Sequence, residues 1–512
     1  MNKPILEPEF KPAIIEIRKF NEDVKNSKEK QHLIIAVERD NGYVFRKEFD
    51  IFKDGVDDKR NTFITERYIK TILWVCGGYK VYIAGSHKVY EDIKSYYKVG
   101  GLREFDYNFM STVYEKEVEV IECDFNNIPK EKSCSNSVGG HLDGRRIGFD
   151  AGGSDRKVSA VVNGETIYSE ETVWQPKLST DINYQYDGIR EAFKVAIEKM
   201  GGDVDAIGVS TAGVIIDSRP MVSSLFIKIS KKDFELVKGV YLNIAHEYEI
   251  KLGHKIPIYV ANDGDVTALA GAMDLKDNGV LGIAMGTSEA VGYVDKNGNL
   301  NGWISELAFA PIDFNLNAEV DEWSGDFGVG CKYLSQDAAI KLAPKAGITL
   351  DENLTLGEKL KYIQKLHNEG HEGAHKIFES IGVYLAYALA YYQEFYDVKH
   401  LLILGRVTSG VGGDTILKVA KETLESHLTS VYVAADDIKS GEIVDFYEDF
   451  MMETVQTTTD KSTIISEDDW KFLNDEGEII IKTNEDGSEI VKQIALKVNV
   501  PAGTIVTKDM IY

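Results

Sequence analysis

The sequence predicts an α/β protein built on two similar sheet-and-helix units around a cleft, preceded by an α+β domain and followed by a β-rich extension. Two observations carry this expectation. A strand, a glycine-hydroxyl turn and a returning strand occur over 147–162 around Gly152-Gly153-Ser154. The same arrangement returns over 280–294 around Gly286-Thr287-Ser288, about 130 residues later. After each hairpin, amphipathic helical stretches alternate with further apolar strands, which is how a sheet covered by helices is written in sequence. The length of 512 residues exceeds one core and argues for about three domains.

Residues 1–140 read as an N-terminal α+β accessory domain. Apolar runs at 32–38 and 43–52 flank Asn41-Gly42, a pair suited to a tight hairpin turn. Residues 68–75 read as a helix, and 80–84 and 118–123 as strands. The polar, glycine- and serine-rich stretch 126–144 reads as a linker.

The first unit spans 145–262. After its hairpin come a candidate strand at 165–171, a helix at 188–200 ended by Gly201-Gly202, a strand at 206–210 and a helix at 236–248. The strand at 257–261 then presents Asn262 and Asp263 at its carboxyl end. The second unit spans 263–435. It opens with a small-residue helix at 267–273 and contains the second hairpin, a buried helix at 383–392 and the strand 401–405, which ends in Gly405. Residues 436–512 read as a C-terminal β-rich accessory region.

A turn without side chains lets backbone N–H groups approach phosphate oxygens. The Ser154 hydroxyl adds a donor, and the Asp150 carboxylate suits a hydrated Mg²⁺. An ordinary hairpin turn is the alternative for either copy taken alone. Two such turns across a cleft can grip a nucleoside triphosphate from both sides.

The formal charge of -25 and pI near 4.9 repel nucleic acid and anionic membrane. Cys76, Cys123, Cys134 and Cys331 lack C-x-x-C spacing, which argues against a disulfide framework and fits a reducing cytoplasm. No signal peptide or membrane span is expected. His367, His371 and His375 recur every four residues, but Gly370 and Gly373 interrupt the helix, so an inter-helix turn is expected rather than a metal site.

Seven segments in order resemble the ROK family of sugar kinases and regulators, within the actin-like ATPase superfamily. They are Ile-Gly-Phe-Asp-Ala-Gly-Gly-Ser (147–154), Ile-Gly-Val-Ser-Thr-Ala-Gly-Val (207–214), Val-Ala-Asn-Asp (260–263), Ala-Met-Gly-Thr-Ser (284–288), Ser-Glu-Leu-Ala-Phe (305–309), Gly-Val-Gly-Cys (328–331) and Leu-Ile-Leu-Gly (402–405). The resemblance implies two ribonuclease-H-like lobes, with ATP, Mg²⁺ and a small sugar or polyol meeting in the cleft, and a homodimer.

By the same resemblance, Asp150, Gly152, Gly153 and Ser154 form the first phosphate loop, Gly286 and Thr287 the second, and Gly405 the adenosine contact. Thr211, Gly213, Asn262 and Glu306 line the acceptor, and Asp263 is the general base, with a helix cap as its alternative role. Lys157 is a further phosphate candidate in a loop one residue longer than the family's. The family's zinc-binding histidine is replaced by Phe309, and of its cysteines only Cys331 remains, so the structural zinc is expected to be absent. The expected activity is ATP-dependent phosphorylation of a sugar or polyol hydroxyl. One alternative is a non-catalytic sugar- or nucleotide-sensing regulator of the ROK type. A partner-driving ATPase with an iron–sulfur cluster lacks the necessary cysteines.

Overall fold

The computed structural model describes residues 2–134, 136–137 and 141–432, and the short strand pieces 451–454, 471–472, 479–480, 482–483 and 489–490. The rest of the β-rich extension expected over 436–512 lies outside the described residues, as do parts of the linker.

The N-terminal region runs α1 (Ala13–Asn26), β1 (Lys30–Arg39), β2 (Tyr43–Phe52), α2 (Asp58–Cys76), β3 (Lys80–Ala84), α3 (His87–Tyr96), α4 (Glu104–Tyr114) and β4 (Glu119–Glu122), with sheet order β2-β1-β3-β4. Asn41 and Gly42 take φ of 61° and 65°, the left-handed backbone that a tight hairpin needs. The helix foreseen over 68–75 is the second half of α2. Asp57 starts it by accepting from the Arg60 N–H, and Gly77 ends it at φ 78°. The two-residue strand β5 (Asn136–Ser137) follows.

The first central sheet contains β6 (Arg145–Ala151), β7 (Asp155–Val162), β8 (Glu165–Val173), β9 (Ala206–Thr211) and, beyond a β10 (Val214–Ile216) to β11 (Arg219–Val222) hairpin, β12 (Ile258–Asn262). Its order is β12-β9-β6-β7-β8, with β6, β9 and β12 parallel and β7 antiparallel to both of its neighbours. Helices α5 (Ile182–Lys199) and α6 (Phe234–Leu252) bury apolar stripes against it and are longer than the 188–200 and 236–248 foreseen.

Helix α7 (Asp263–Leu275) passes directly from β12 towards the second central sheet. It starts four residues before the expected 267, because Asn262 caps it by accepting from the Gly264 N–H at 2.7 Å. Its first turn lies flush on the second sheet, where a methyl group on Gly292 would fall 2.0 Å from the Gly264 carbonyl oxygen.

That sheet is built from β13 (Val280–Met285) and β14 (Glu289–Val294), with β15 (Asn299–Leu300) turned aside to pair with β5. Helices α8 (Gln336–Leu342), α9 (Leu356–Asn368) and α10 (Glu372–Tyr392) precede β16 (His400–Leu404), α11 (Val411–Tyr432) and β17 (Met451–Thr454). The order β14-β13-β16-β17 repeats that of the first sheet without its third strand: an antiparallel hairpin, then parallel strands on the far side of its first member.

The N-terminal region and the second sheet's helices share one hydrophobic core. Phe10 meets Tyr333 and Tyr384 at ring distances of 5.5 and 4.9 Å, Trp74 lies 4.5 Å from Phe309, and the Thr71 and Tyr391 hydroxyls are 2.8 Å apart. No described helix is long and apolar enough to cross a membrane.

Candidate active site

Each strand–turn–strand hairpin puts its glycine turn at the carboxyl end of its sheet's first strand. In the first, the Trp174 indole N–H donates to the Gly152 carbonyl at 2.8 Å and the Trp174 amide donates to the Ser154 carbonyl at 3.1 Å, which fixes the turn from behind. The Ser154 hydroxyl donates to Asp155 at 2.9 Å, and Lys157 pairs with the same carboxylate at 3.5 Å. Both expected phosphate donors are therefore engaged within the loop. Sequence reasoning missed Lys177, whose Nζ lies 3.0 Å from where a Cβ on Gly153 would stand, with no hydrogen-bond or ion-pair partner among the described residues. Nothing in the Gln-Pro-Lys context signals this, because it depends on how the chain leaves β8.

In the second turn, the Gly286 amide donates to the Ser288 carbonyl at 3.0 Å and the Gly286 carbonyl accepts from Gln336 at 2.9 Å. Gly405, at φ 103°, packs so closely that a Cβ would fall 2.5 Å from the Met285 carbonyl oxygen, and only glycine fits there. Arg406, directly after it, donates to the Thr287 hydroxyl at 2.7 Å. The expected adenosine and second phosphate loops thus form one surface, and Arg406 is a cation on it that the sequence offered immediately after the strand. No hydrogen bond or ion pair joins this surface to the first turn among the described residues.

Between the sheets lies a group of carboxylates. Asp263 is the first residue of α7 and exposes its carboxyl to solvent; one oxygen accepts from the Gly264 N–H at 3.0 Å. The protein mass around it raises its pKa, the Gly264 hydrogen bond opposes this, and the Asp150 charge adds to the rise. Two neighbours are shifted further. Burial pushes Asp265 up to about 7 against a hydrogen bond from the Tyr293 amide, with Asp263 adding repulsion. Burial, then Asp263 and then Asp265, push Glu306 to about 7. Behind them Glu289, 2% exposed, is pushed by burial to about 8 although Tyr392 donates to it, and Glu306 adds to the rise. Asp265 and Glu289 were not among the sequence candidates. Their signal was two further carboxylates, at the first turn of α7 and at the start of β14.

The folded chain holds these protons where the unfolded chain has released them, so stability falls as pH rises through the folded values. The thermal midpoint is expected to drop between about pH 5 and about pH 8, and Glu289→Gln to flatten that drop. Unfolding scans of the two proteins across that range check it, and parallel profiles would refute it.

The acceptor candidates divide. Thr211 is fully buried and its hydroxyl accepts from Tyr241 at 3.0 Å, so it faces the core and no opening. Asn262, besides capping α7, donates to the Gly213 carbonyl at 2.9 Å. It is Asn262, and not Asp263, that caps the helix through its side chain. Gly213, at φ 119°, admits this approach, and a Cβ there would lie 2.2 Å from the Val222 carbonyl. Glu306 is placed by α2: the amides of Ser305 and Glu306 donate to the Val75 and Trp74 carbonyls at 3.0 and 2.8 Å. These carbonyls belong to the last turn of a helix, which otherwise leaves them unpaired.

The segment after Glu306 contains Phe309 and Cys331. Phe309 packs with tilted rings against Trp74 and Phe105, and the Cys331 thiol donates to Asp321 at 3.6 Å. Asp326 is buried and paired with Arg67, Arg103 and Lys70 at 3.0, 2.7 and 3.3 Å, all from the N-terminal region. Among the described residues no group of three or more ligating side chains could hold a metal ion. The three histidines lie where α9 gives way to α10: His371 caps α10, while His367 is buried with its Nε2 3.2 Å from His375 Nδ1.

No protein-family model matches the chain, and no curated protein matches it. Solved structures do. Its structural neighbours are ROK family proteins. The ROK hexokinase of Thermus thermophilus is 16% identical, with a TM-score of 0.42 over 55% of this chain and 89% of that one. A ROK glucokinase from Streptomyces griseus, in complex with glucose and AMPPNP, is 20% identical, with a TM-score of 0.39 over 55% and 90%. A ROK family transcriptional regulator, a homologue of the E. coli MLC protein, is 15% identical, with a TM-score of 0.40 over 61% and 74%.

Proposed function

We propose that the chain is an ATP- and Mg²⁺-dependent kinase that phosphorylates a hydroxyl of a small sugar or polyol. The two central sheets act as ribonuclease-H-like lobes whose glycine turns hold the phosphates. One observation carries the reading: Asp263, on the helix joining the sheets, keeps a solvent-open carboxyl of raised proton affinity beside the charge of Asp150. A carboxylate so placed accepts the proton of an attacking alcohol, and phosphoryl transfer otherwise asks mainly for positioning and charge stabilisation.

The Asp150 side chain, half-buried at the end of β6 beside the first glycine turn, fits a hydrated Mg²⁺; bound there, the ion would neutralise phosphate charge. Glu306, set by the end of α2, orients an acceptor hydroxyl. Lys177 and Arg406 supply a cation to each turn. Four unpaired cysteines suit a reducing cytoplasm.

Coupled ADP release over a panel of hexoses, amino sugars and polyols tests the reading. Acceptor-dependent ADP formation is expected, and none with any acceptor would overturn it. Lys177→Met is expected to raise KM for ATP about tenfold with kcat changed less, as when a charged hydrogen bond is lost.

A regulator that senses a sugar or nucleotide without catalysis is the second reading. It is favoured by the Ser154 and Thr287 hydroxyls both being engaged within the protein. Ligand-dependent thermal stabilisation without ADP release would identify it.

A further inference from the structure

Behind the first glycine turn lies a packed layer that the transfer chemistry does not use. Trp174, the residue after β8, is 3% exposed. Its indole N–H and its amide donate to the carbonyls of Gly152 and Ser154 at 2.8 and 3.1 Å, so one residue holds the turn at both ends. In a planar trans peptide the N–H points away from the C=O. Tying the Gly152 carbonyl to Trp174 therefore turns the Gly153 N–H to the opposite side, and that N–H has no hydrogen-bond partner among the described residues.

Two side chains pack Trp174. Tyr184 stacks on it at a ring distance of 6.5 Å, and the Tyr184 hydroxyl accepts from the Gln175 N–H at 2.9 Å. The Arg156 guanidinium lies 5.8 Å from the centre of the indole, within the range of a cation–π contact. Arg156 is otherwise unpaired among the described residues: its Nε is buried without a hydrogen-bond partner, and Glu170 and Glu191 lie beyond ion-pair distance. A buried polar group without a partner costs stability. The chain nevertheless makes room for this one, because a Cβ on Gly188 would lie 2.2 Å from Arg156 Nη1 and 3.3 Å from the indole. Gly188 stands in the interior of α5, where glycine is a poor helix former, so helix propensity does not account for it.

Rigid support of this kind keeps a donor aimed before its ligand arrives. We propose that Trp174 is a positioning residue for nucleotide binding, packed in place by Arg156 so that the Gly153 amide faces a phosphate oxygen. This rests on the reading of the first turn as a phosphate loop. Trp174 then matters to a ligand that carries phosphates and not to a nucleoside.

Equilibrium binding of AMPPNP and of adenosine to the full chain tests it, without acceptor and without turnover. Trp174→Phe keeps an aromatic ring in the layer but removes the indole N–H. It is expected to weaken AMPPNP about tenfold and to leave adenosine binding unchanged. Gly188→Ala keeps the indole N–H and displaces Arg156, so it should weaken AMPPNP in the same direction by less; it decides the matter where Trp174→Phe does not fold. A folded Trp174→Phe chain that binds AMPPNP as wild type does, or that loses adenosine as much as AMPPNP, overturns the positioning role alone. A wild-type chain that binds neither ligand overturns it together with the reading it rests on.

Discussion

Asp263→Asn is expected to lower kcat for acceptor phosphorylation by about 10²- to 10⁴-fold, with the affinities for nucleotide and acceptor within a few-fold of wild type. The amide keeps the volume and the oxygen that accepts from the Gly264 N–H, so α7 starts as before under the Asn262 cap. What it loses is the capacity to take a proton. The pH profile provides a second readout. The protein mass around it and the Asp150 charge raise the Asp263 pKa, so in wild type the activity must climb through a limb above the ordinary carboxylate range as Asp263 ionises. In the variant that limb should vanish, whereas a merely structural Asp263 would leave its position unchanged. The substitution also removes a negative neighbour of Asp265 and Glu306, whose own titrations should fall from about 7. A kcat within threefold of wild type, or a retained limb, would exclude Asp263 as the base.

What the sequence disclosed depends on how far apart the interacting residues lie. Both hairpins were legible because strand alternation and a glycine turn are local. The order of the strands within each sheet was not foreseen, because it depends on where the crossover helices return the chain. The start of α7 was set four residues late because Asp263-Gly264-Asp265 is a poor helical run. The cap from Asn262 and the close seat of Gly264 on Gly292 overcome that propensity, and the second of these is tertiary. The docking of the N-terminal region was not legible at all. Arg67 and Asp326 are separated by 259 positions, and no local pattern announces that Trp74 will face Phe309 or that the end of α2 will carry Glu306. Phe309 and Cys331 could be read directly at positions where the resemblance would put zinc ligands, but not the contacts made in their place.

The segment between these two residues makes the second strong prediction. Arg67, Lys70 and Arg103 face Glu66, Asp106 and Asp326 in a buried network of balanced charge. Arg67 donates to Glu66 at 2.6 Å, Arg103 to Glu66 at 2.6 Å, and Lys70 and the Trp74 indole to Asp106 at 2.7 and 2.6 Å. Asp326 is the member contributed by the segment after Glu306, and its three cation contacts attach that segment to α2 and to Arg103 just before α4. Asp326→Ala leaves three buried cations against two anions, a loss expected to cost about 3–5 kcal/mol and to lower the unfolding midpoint by roughly 5 °C. Pairing it with Arg67→Met restores the charge balance, so the double variant should recover much of the loss. A double-mutant cycle of thermal midpoints measures that coupling. If Asp326→Ala unfolds within a degree or two of wild type, or if Arg67→Met adds to its effect instead of relieving it, the segment is held by something other than this charge network. The network also bears on how Glu306 is kept in place. The same helix that anchors Asp326 through Arg67 and Lys70 offers its last carbonyls to Ser305 and Glu306, so one rigid element sets both ends of the segment.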